Sequence, residues 1–450
     1  MERLDFTYYD PVPVSAPPND DLELQLVWLH MAEQAEGPLT HQHFADAWLR
    51  HIHYMWDEYG RTRWNLRRGV PAECAGSFEN PFHSGMGAAI RSEIWACLFA
   101  GDPQSAADYA ALDASLDHGR EGIAGEVFLA VLQSLVAAGA SLDDALTRAL
   151  GFLPADCETA RAIGVAISCF HKGLSAWDAW RELLDQHGHE NFTHAPLNVA
   201  LSVWALCHGG GDFETSILLA VNAGYDTDCT AATVGATLGL LHGPAGIPAH
   251  WSAPIGDGVF VGPGIRDIDA PVTLGELSAR TAALIGKLEA RPWNSGFWDQ
   301  AVPDIDLTTL PGTILVAPFG GDSMAWANGE LPDAVKRAGG GTWVWEKPDN
   351  EPRKIICLAR KGARLSIDDR LLIKCPPGLP YVPATHRCPQ GSHAIVELPA
   401  GKHTLRIELD PDEQDACVIL AYPDMHLCPW THDELPQRAV LPVQAHAVHD

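Results

Sequence analysis

The hydrophobic period of this chain changes once, and that change restricts the fold more than any other feature. From about residue 20 to 290, apolar residues recur at helical spacing. The helical stretches are 21–35, 42–55, 103–114, 122–138, 142–151, 157–171, 176–186, 196–208, 212–223, 230–242 and 273–290, with Gly, Pro or Asp at the breaks. Leu146 and Leu150, four apart, mark one such face. From about residue 310 the runs become short and β-rich: GTILVAPFG, GTWVWEKP, RKIICLAR, ARLSIDDRLLIKC, HAIVELP, HTLRIELD and ACVILAYP, separated by turn residues. The expectation is a mainly α chain: a compact all-helical domain over 1–290, a linker over 291–311, a smaller β-sandwich over 312–428 and a tail over 429–450.

Charge and cysteine usage exclude several classes of function. The formal net charge is −28, and such a surface repels phosphate backbones, so nucleic acid is not an expected partner. The 11 cysteines show neither CxxC spacing nor a compact disulfide pattern. The segment MERLDFTYYDPVPVSAPPND lacks a basic stretch followed by an apolar run, and no stretch is long enough to cross a membrane. A cytoplasmic location without membrane contact is therefore expected; composition says nothing of oligomeric state.

Two acidic motifs carry chemistry. Asn19-Asp20-Asp21 follows Pro17-Pro18 and opens a strongly apolar helix. It reads either as a cap that complements the helix dipole or as a pair of carboxylates that need a cation near low-dielectric surroundings. Gly224-Tyr225-Asp226-Thr227-Asp228-Cys229 precedes a helix rich in Gly and Ala. Asp226 and Asp228, two apart, fit an extended or turn segment before that helix, with their oxygens converging on one point. The alternative is again a cap plus a turn. Oxygen ligands of this kind suit Mg²⁺, Mn²⁺ or Ca²⁺ rather than zinc.

Taken together, the motifs resemble those of the ADP-ribosylglycohydrolase family, which includes the dinitrogenase reductase-activating glycohydrolases. The resemblance extends over 17–290 and includes GMGAAIR at 85–91, DASLDHGREGIAGE at 113–126 and NVALSVWALCHGGGDFETSILLAVNAGYDTDC at 198–229. It implies an all-helical fold with two Mg²⁺ ions, or Mn²⁺, at the base of a cleft. Asn19, Asp20, Asp21, Asp226 and Asp228 stand at the family's metal-ligand positions, and Cys229 at that of a ligating hydroxyl. The implied activity is that of a glycosidase hydrolysing an N- or O-linked ribosyl bond, ADP-ribosyl or nucleoside-like, through a metal-positioned water.

Around that centre, Asp20, Asp21, Glu126 and His83 are the catalytic candidates. Ser115, His118, Gly119, Gly122, Arg91 and Asn198 are the substrate-binding candidates. Gly119 and Gly122 bracket a helix start whose free N–H groups suit a phosphate. Each has a plainer reading: Ser115 and His118 as a helix end, Arg91 and Glu126 as ion-pair partners, Asn198 with His189, Asn191 and His194 as a capping loop. The chain also departs from the family pattern. No GDALG-like motif stands before Asn19, Cys229 replaces a hydroxyl, and NPFHS places His83 or Ser84 where relatives carry an Asp proposed as base. The alternative is a catalytically altered metal- and ADP-ribose-binding pseudoenzyme or sensor. In the β-rich part, Trp343 and Trp345 share one strand face, as a stacking platform or as core.

Overall fold

The computed structural model describes residues 18–299 and 303–431. Its helices are α1 (Asp20–Gln34), α2 (His41–His51), α3 (Asp57–Arg67), α4 (Glu93–Leu98), α5 (Pro103–Ala114), α6 (Arg120–Ala137), α7 (Leu142–Leu150), α8 (Glu158–His171), α9 (Ala176–His187), α10 (Ala195–His208), α11 (Phe213–Asn222), α12 (Thr227–His242), α13 (Ala249–Ser252), α14 (Leu274–Leu284) and α15 (Asp333–Arg337). The strands are β1 (Ile314–Pro318), β2 (Met324–Trp326), β3 (Gly329–Glu330), β4 (Gly340–Lys347), β5 (Arg353–Ala359), β6 (Ala363–Ile367), β7 (Arg370–Cys375), β8 (His393–Val396), β9 (Gly401–Leu409) and β10 (Ala416–Ala421). The described chain divides into a helical unit, residues 18–52 and 83–299, and a β-rich unit, residues 53–82 and 303–431.

In the helical unit α6 and α10 are apolar nearly all round, so both are buried. Helix α6 packs against α4, α5, α7, α8, α10 and α12. Val127, Phe128, Leu129 and Val131 have no exposed surface. Burying each such side chain contributes about 1.5–3 kcal/mol. Surrounding helices start on polar caps that accept an otherwise unpaired backbone N–H: Asp102 for α5, Ser141 for α7, Ser175 for α9, Asp212 for α11 and Thr273 for α14.

The β-rich unit is a sandwich of antiparallel strands. One sheet has the order β2-β1-β4-β9-β6-β7, the other β3-β10-β5-β8. Alternation along β4 turns Trp343 and Trp345 inward, where Trp343 meets Trp326 and both meet Trp430 edge-on. Their rings therefore pack the core between the sheets with Ile355, Cys357, Leu365, Leu405 and Val418. The stacking platform is not formed.

The expected helical domain over 1–290 is interrupted, because 53–82 belongs to the β-rich unit. The physical reason lies in β5 and β10. Both are buried at every position, β10 an unbroken apolar run and β5 apolar from Ile355 on. Ile355, Cys357 and Val418 face the sandwich interior, and Ile356, Leu358, Cys417 and Ile419 face the other way, onto Trp64 and Phe82. Arg61 and Arg68 lie over the Trp64 ring, 4.8 and 4.5 Å from its centroid. Asp57, buried at φ +42°, accepts bonds from Thr385 N (2.5 Å), Thr385 Oγ1 (3.0 Å) and Arg387 Nη2 (3.0 Å).

Other boundaries shift by a few residues. Helix α2 stops at His51 rather than 55, and α14 at Leu284 rather than 290. The short helices α4 and α13 and strands β2 and β3 have too few residues to show a period. The expected tail over 429–450 lies outside the described residues from 432 on. All eleven cysteines are free. Among the described residues no helix is long and apolar enough to cross a membrane.

Candidate functional site

Both acidic motifs sit at helix starts, where unpaired N–H groups and the helix dipole favour negative charge. Asn19 is the cap of α1; its side chain accepts the Leu22 N–H at 3.1 Å, and Asp20 and Asp21 occupy the first turn. Gly224 and Tyr225 turn the chain through positive φ values of 77° and 67°, and Asp226 then caps α12. Asp228 lies inside the first turn of that helix, not in the extended segment expected for it. The cap position leaves Asp226 on the turn and Asp228 on the helix, so their carboxylates approach each other although their backbones differ in conformation.

The fold brings the two motifs together. One ligand atom each from Asp226, Asp228 and Cys229 lies within 4.8 Å of the others. Burial, then the charges of Asp20, Asp228 and Glu93, push Asp21 up to about 8. Burial and the carboxylates of Asp226, Asp21, Asp228 and Asp20 push the Cys229 thiol well up. Asp21 Oδ1 is buried and accepts no hydrogen bond. A buried carboxylate oxygen left bare among like charges is unfavourable unless a cation fills the gap. An oxygen-rich donor set of this kind fits Mg²⁺ or Mn²⁺; the Cys229 sulfur is its one soft member.

Asn198 is fully buried and holds this centre from behind. Its Oδ1 accepts the Asp226 N–H at 3.1 Å, while its Nδ2 donates to Phe192 O (2.7 Å) and His194 O (3.0 Å). The side chain is thus engaged with backbone on both sides.

Glu93 was not among the residues singled out from the sequence. It stands in the first turn of α4, two positions after Arg91. Burial pushes it up to about 7, against hydrogen bonds from its backbone, Gln133 and Gln25 that favour its charged form. Gln25 Nε2 donates to Glu93 Oε2 (3.1 Å) and to Asp21 O (2.9 Å). Gln133 Nε2 donates to Glu93 Oε1 (3.1 Å) and to Thr237 Oγ1 on α12 (3.3 Å). The available signal was polar side chains inside apolar runs: Gln25 in LELQLVWL, Glu93 in RSEIWACLF and Gln133 in FLAVLQSLV.

The remaining candidates fall into two other clusters. Arg91 is fully buried and grips Asp117 through two bonds of 2.8 Å, with Asp113 3.0 Å from its Nε. Those carboxylates hold Arg91 charged despite its burial. Glu126, also buried, is pushed well up by burial and by Asp113. His118 Nδ1 lies 2.8 Å from Asp117 Oδ1, and its Nε2 has no protein partner. Ser115 Oγ donates to Leu112 O at 3.0 Å and lies 3.0 Å from His41 Nε2.

The second cluster is rich in histidine. Burial, then His118, lowers His83 below the usual histidine range. Burial, then His189, His83 and His187, lowers His194 to about 3. The His189 and His194 rings stack with centroids 3.8 Å apart. Gly119 caps α6, and its N–H donates to His83 O at 2.9 Å, so it is not free for a phosphate. A Cβ at Gly122 would lie 2.5 Å from His118 Cδ2, so only glycine lets the helix pass that ring.

A search of curated proteins found no match to this chain. Among solved structures, one described as "ADP-ribosylglycohydrolase-related protein complex" matches at 22% identity and a TM-score of 0.41, covering 59% of this chain and 80% of that one. The ADP-ribosylglycohydrolase family model matches residues 3–284. With that match spanning most of its length, this chain belongs to the ADP-ribosylglycohydrolase family.

Proposed function

We propose that this chain hydrolyses a ribosyl glycosidic bond, N- or O-linked, in an ADP-ribosyl or nucleoside-like substrate, and that it does so with divalent cations, two Mg²⁺ or Mn²⁺, held by Asp20, Asp21, Asp226 and Asp228. The observation that carries this reading is the meeting of the bare, buried Asp21 Oδ1 with the donor cluster of Asp226, Asp228 and Cys229. Family membership supports the reaction class, since ADP-ribosylglycohydrolases are hydrolases acting on glycosyl bonds.

When bound, the cations would hold ribose hydroxyls, position a water and offset developing charge. The chain's own groups do the rest. Asn198 fixes the Asp226 turn through its backbone N–H, so that carboxylate is set before ligand arrives. Cleavage at an anomeric carbon passes through an oxocarbenium-like state, which the carboxylates stabilise by their charge. Burial and Asp113 push Glu126 well up, which disfavours its charged form and sets it within the buried Arg91 network. His83 is neutral around pH 7 and retains an imidazole nitrogen able to take one.

The test is turnover of N-linked and O-linked ADP-ribose conjugates and of nucleosides with Mg²⁺ or Mn²⁺, alongside calorimetric metal binding. Metal-dependent release of ribosyl product, lost in Asp20→Ala and Asp226→Ala together with metal binding, is the expected result. Metal binding without turnover of any substrate would point to a metal- and ribosyl-binding sensor. Metal affinity unchanged in both variants would overturn the site itself.

A further inference from the structure

We infer that Glu93 is a positioning residue of the metal centre: a half-buried strut that joins the two ligand-bearing helices through the amides of Gln25 and Gln133. This rests on the metal reading above and adds what keeps the centre's two halves in register.

The ligands come from elements far apart in sequence. Asp20 and Asp21 ride on α1, Asp226 and Asp228 on α12. A centre built this way keeps its geometry only if something other than the metal fixes one helix start against the other. Glu93, on α4, has one oxygen for each side. Its Oε2 takes a hydrogen bond from Gln25 of α1, and its Oε1 one from Gln133 of α6.

Each amide has a second hydrogen, and each uses it on the ligand-bearing helix. Gln25 donates it to the carbonyl oxygen of Asp21 itself, at 2.9 Å. Gln133 donates it to Thr237 of α12, at 3.3 Å. Thr237 Oγ1 in turn donates to Thr233 O, at 2.8 Å, one turn nearer the Asp226 end. Gln133 Oε1 accepts from Ser92, the residue before Glu93, at 3.2 Å, which fixes the amide's orientation.

The chain Asp21–Gln25–Glu93–Gln133–Thr237 therefore uses every donor once, and the carboxylate at its middle is an acceptor for both arms. A carboxylate is the side chain this place requires. A Gln there would turn its own NH₂ toward one of the two amide donors and break that arm.

The experiment compares the parent with Glu93→Gln, Gln25→Ala and Gln133→Ala by Mn²⁺ calorimetry, Mn²⁺ paramagnetic resonance of the bound ion and melting of the metal-free protein. Removing a supporting partner of a ligand typically weakens metal affinity about 10- to 100-fold. Glu93→Gln is expected to lose at least tenfold in Mn²⁺ affinity and to broaden the bound-Mn²⁺ spectrum, with the metal-free protein still melting cooperatively. Gln25→Ala and Gln133→Ala leave the Glu93 charge in place and are expected to shift the spectrum in the same direction. Parent-like affinity and spectrum in Glu93→Gln would overturn the inference while leaving the metal reading intact. Failure of the parent to bind Mn²⁺ at all would overturn the metal reading instead. If Glu93→Gln does not fold, the two Gln variants decide: parent-like spectra in both reject the strut.

Discussion

Asn198 and Asp226, on α10 and at the start of α12, are joined by a buried 3.1 Å hydrogen bond from the Asp226 N–H to Asn198 Oδ1. The same side chain ties down the carbonyls of Phe192 and His194. Replacing it with Ala leaves these backbone groups without their partner, at about 1–3 kcal/mol each where no water reaches them. Asn198→Ala is expected to lower stability by about 2 kcal/mol in urea unfolding. It is also expected to weaken Mg²⁺ binding, because the Asp226 turn loses its anchor. A variant with parent-like stability and Mg²⁺ affinity would refute this role.

The Arg91 network predicts a larger effect on folding. Arg91, Asp113 and Asp117 are fully buried, and the guanidinium is the cation that balances both acids. Breaking a buried ion pair from one side typically costs about 3–5 kcal/mol. Arg91→Met should therefore unfold at markedly lower denaturant, and Arg91→Lys should recover only part of the loss, since an ammonium cannot make the parallel pair of bonds to Asp117. Denaturation followed by circular dichroism measures both. A loss below about 1 kcal/mol for Arg91→Met would contradict the assignment.

Cys229 offers a test of the ligand set by metal preference. A thiol is a poor partner for Mg²⁺ and a good one for soft cations. Cys229→Ser is expected to tighten Mg²⁺ by a few-fold, up to about tenfold, and to weaken Cd²⁺. Calorimetric titration with each metal reads this directly. Equal affinities in parent and variant for both metals would place Cys229 outside the coordination sphere.

His194 predicts an acid limb of stability. Burial, then His189, His83 and His187, lowers it to about 3, below the 6.5 of an exposed histidine; Glu158 Oε2 lies 3.9 Å from its ring. Between those values the unfolded chain binds a proton that the folded chain does not. Stability linked to His194 is therefore full above about pH 6.5 and falls as pH drops toward 3, with a limiting slope of about 1.4 kcal/mol per pH unit. His194→Asn should flatten that limb in melting curves taken from pH 7 to pH 4. An unchanged slope would show that His194 does not titrate there.

Much of the helical unit was legible because its helices are long. Helix α5 spans 103–114, as its apolar spacing predicts, and α6 and α10 agree with theirs to within two residues at each end. Each extends over several turns, so the helical period repeats often enough to be recognised. NDD and GYDTDC each read alone as a helix start; their joint order and spacing, through the resemblance to the family, set them side by side as candidates.

What sequence order did not contain was which side chains meet across elements. Nothing in FENPF or TRWNLRR says that 53–82 will cover the far side of β5 and β10; that follows from the need to bury Ile356, Leu358, Cys417 and Ile419. Arg91 and Asn198 looked available for substrate, and Glu126 for catalysis. Only packing showed that Arg91 and Glu126 share one buried charge network and that Asn198 is bonded to backbone. Glu93 shows the same division most clearly. Its residue type is ordinary on a helix, and its place between Gln25 and Gln133 arises only when α1, α4 and α6 come together. Periodicity and caps act over neighbouring residues and are written along the chain. Desolvation and charge pairing act through space, so tertiary structure alone decides them.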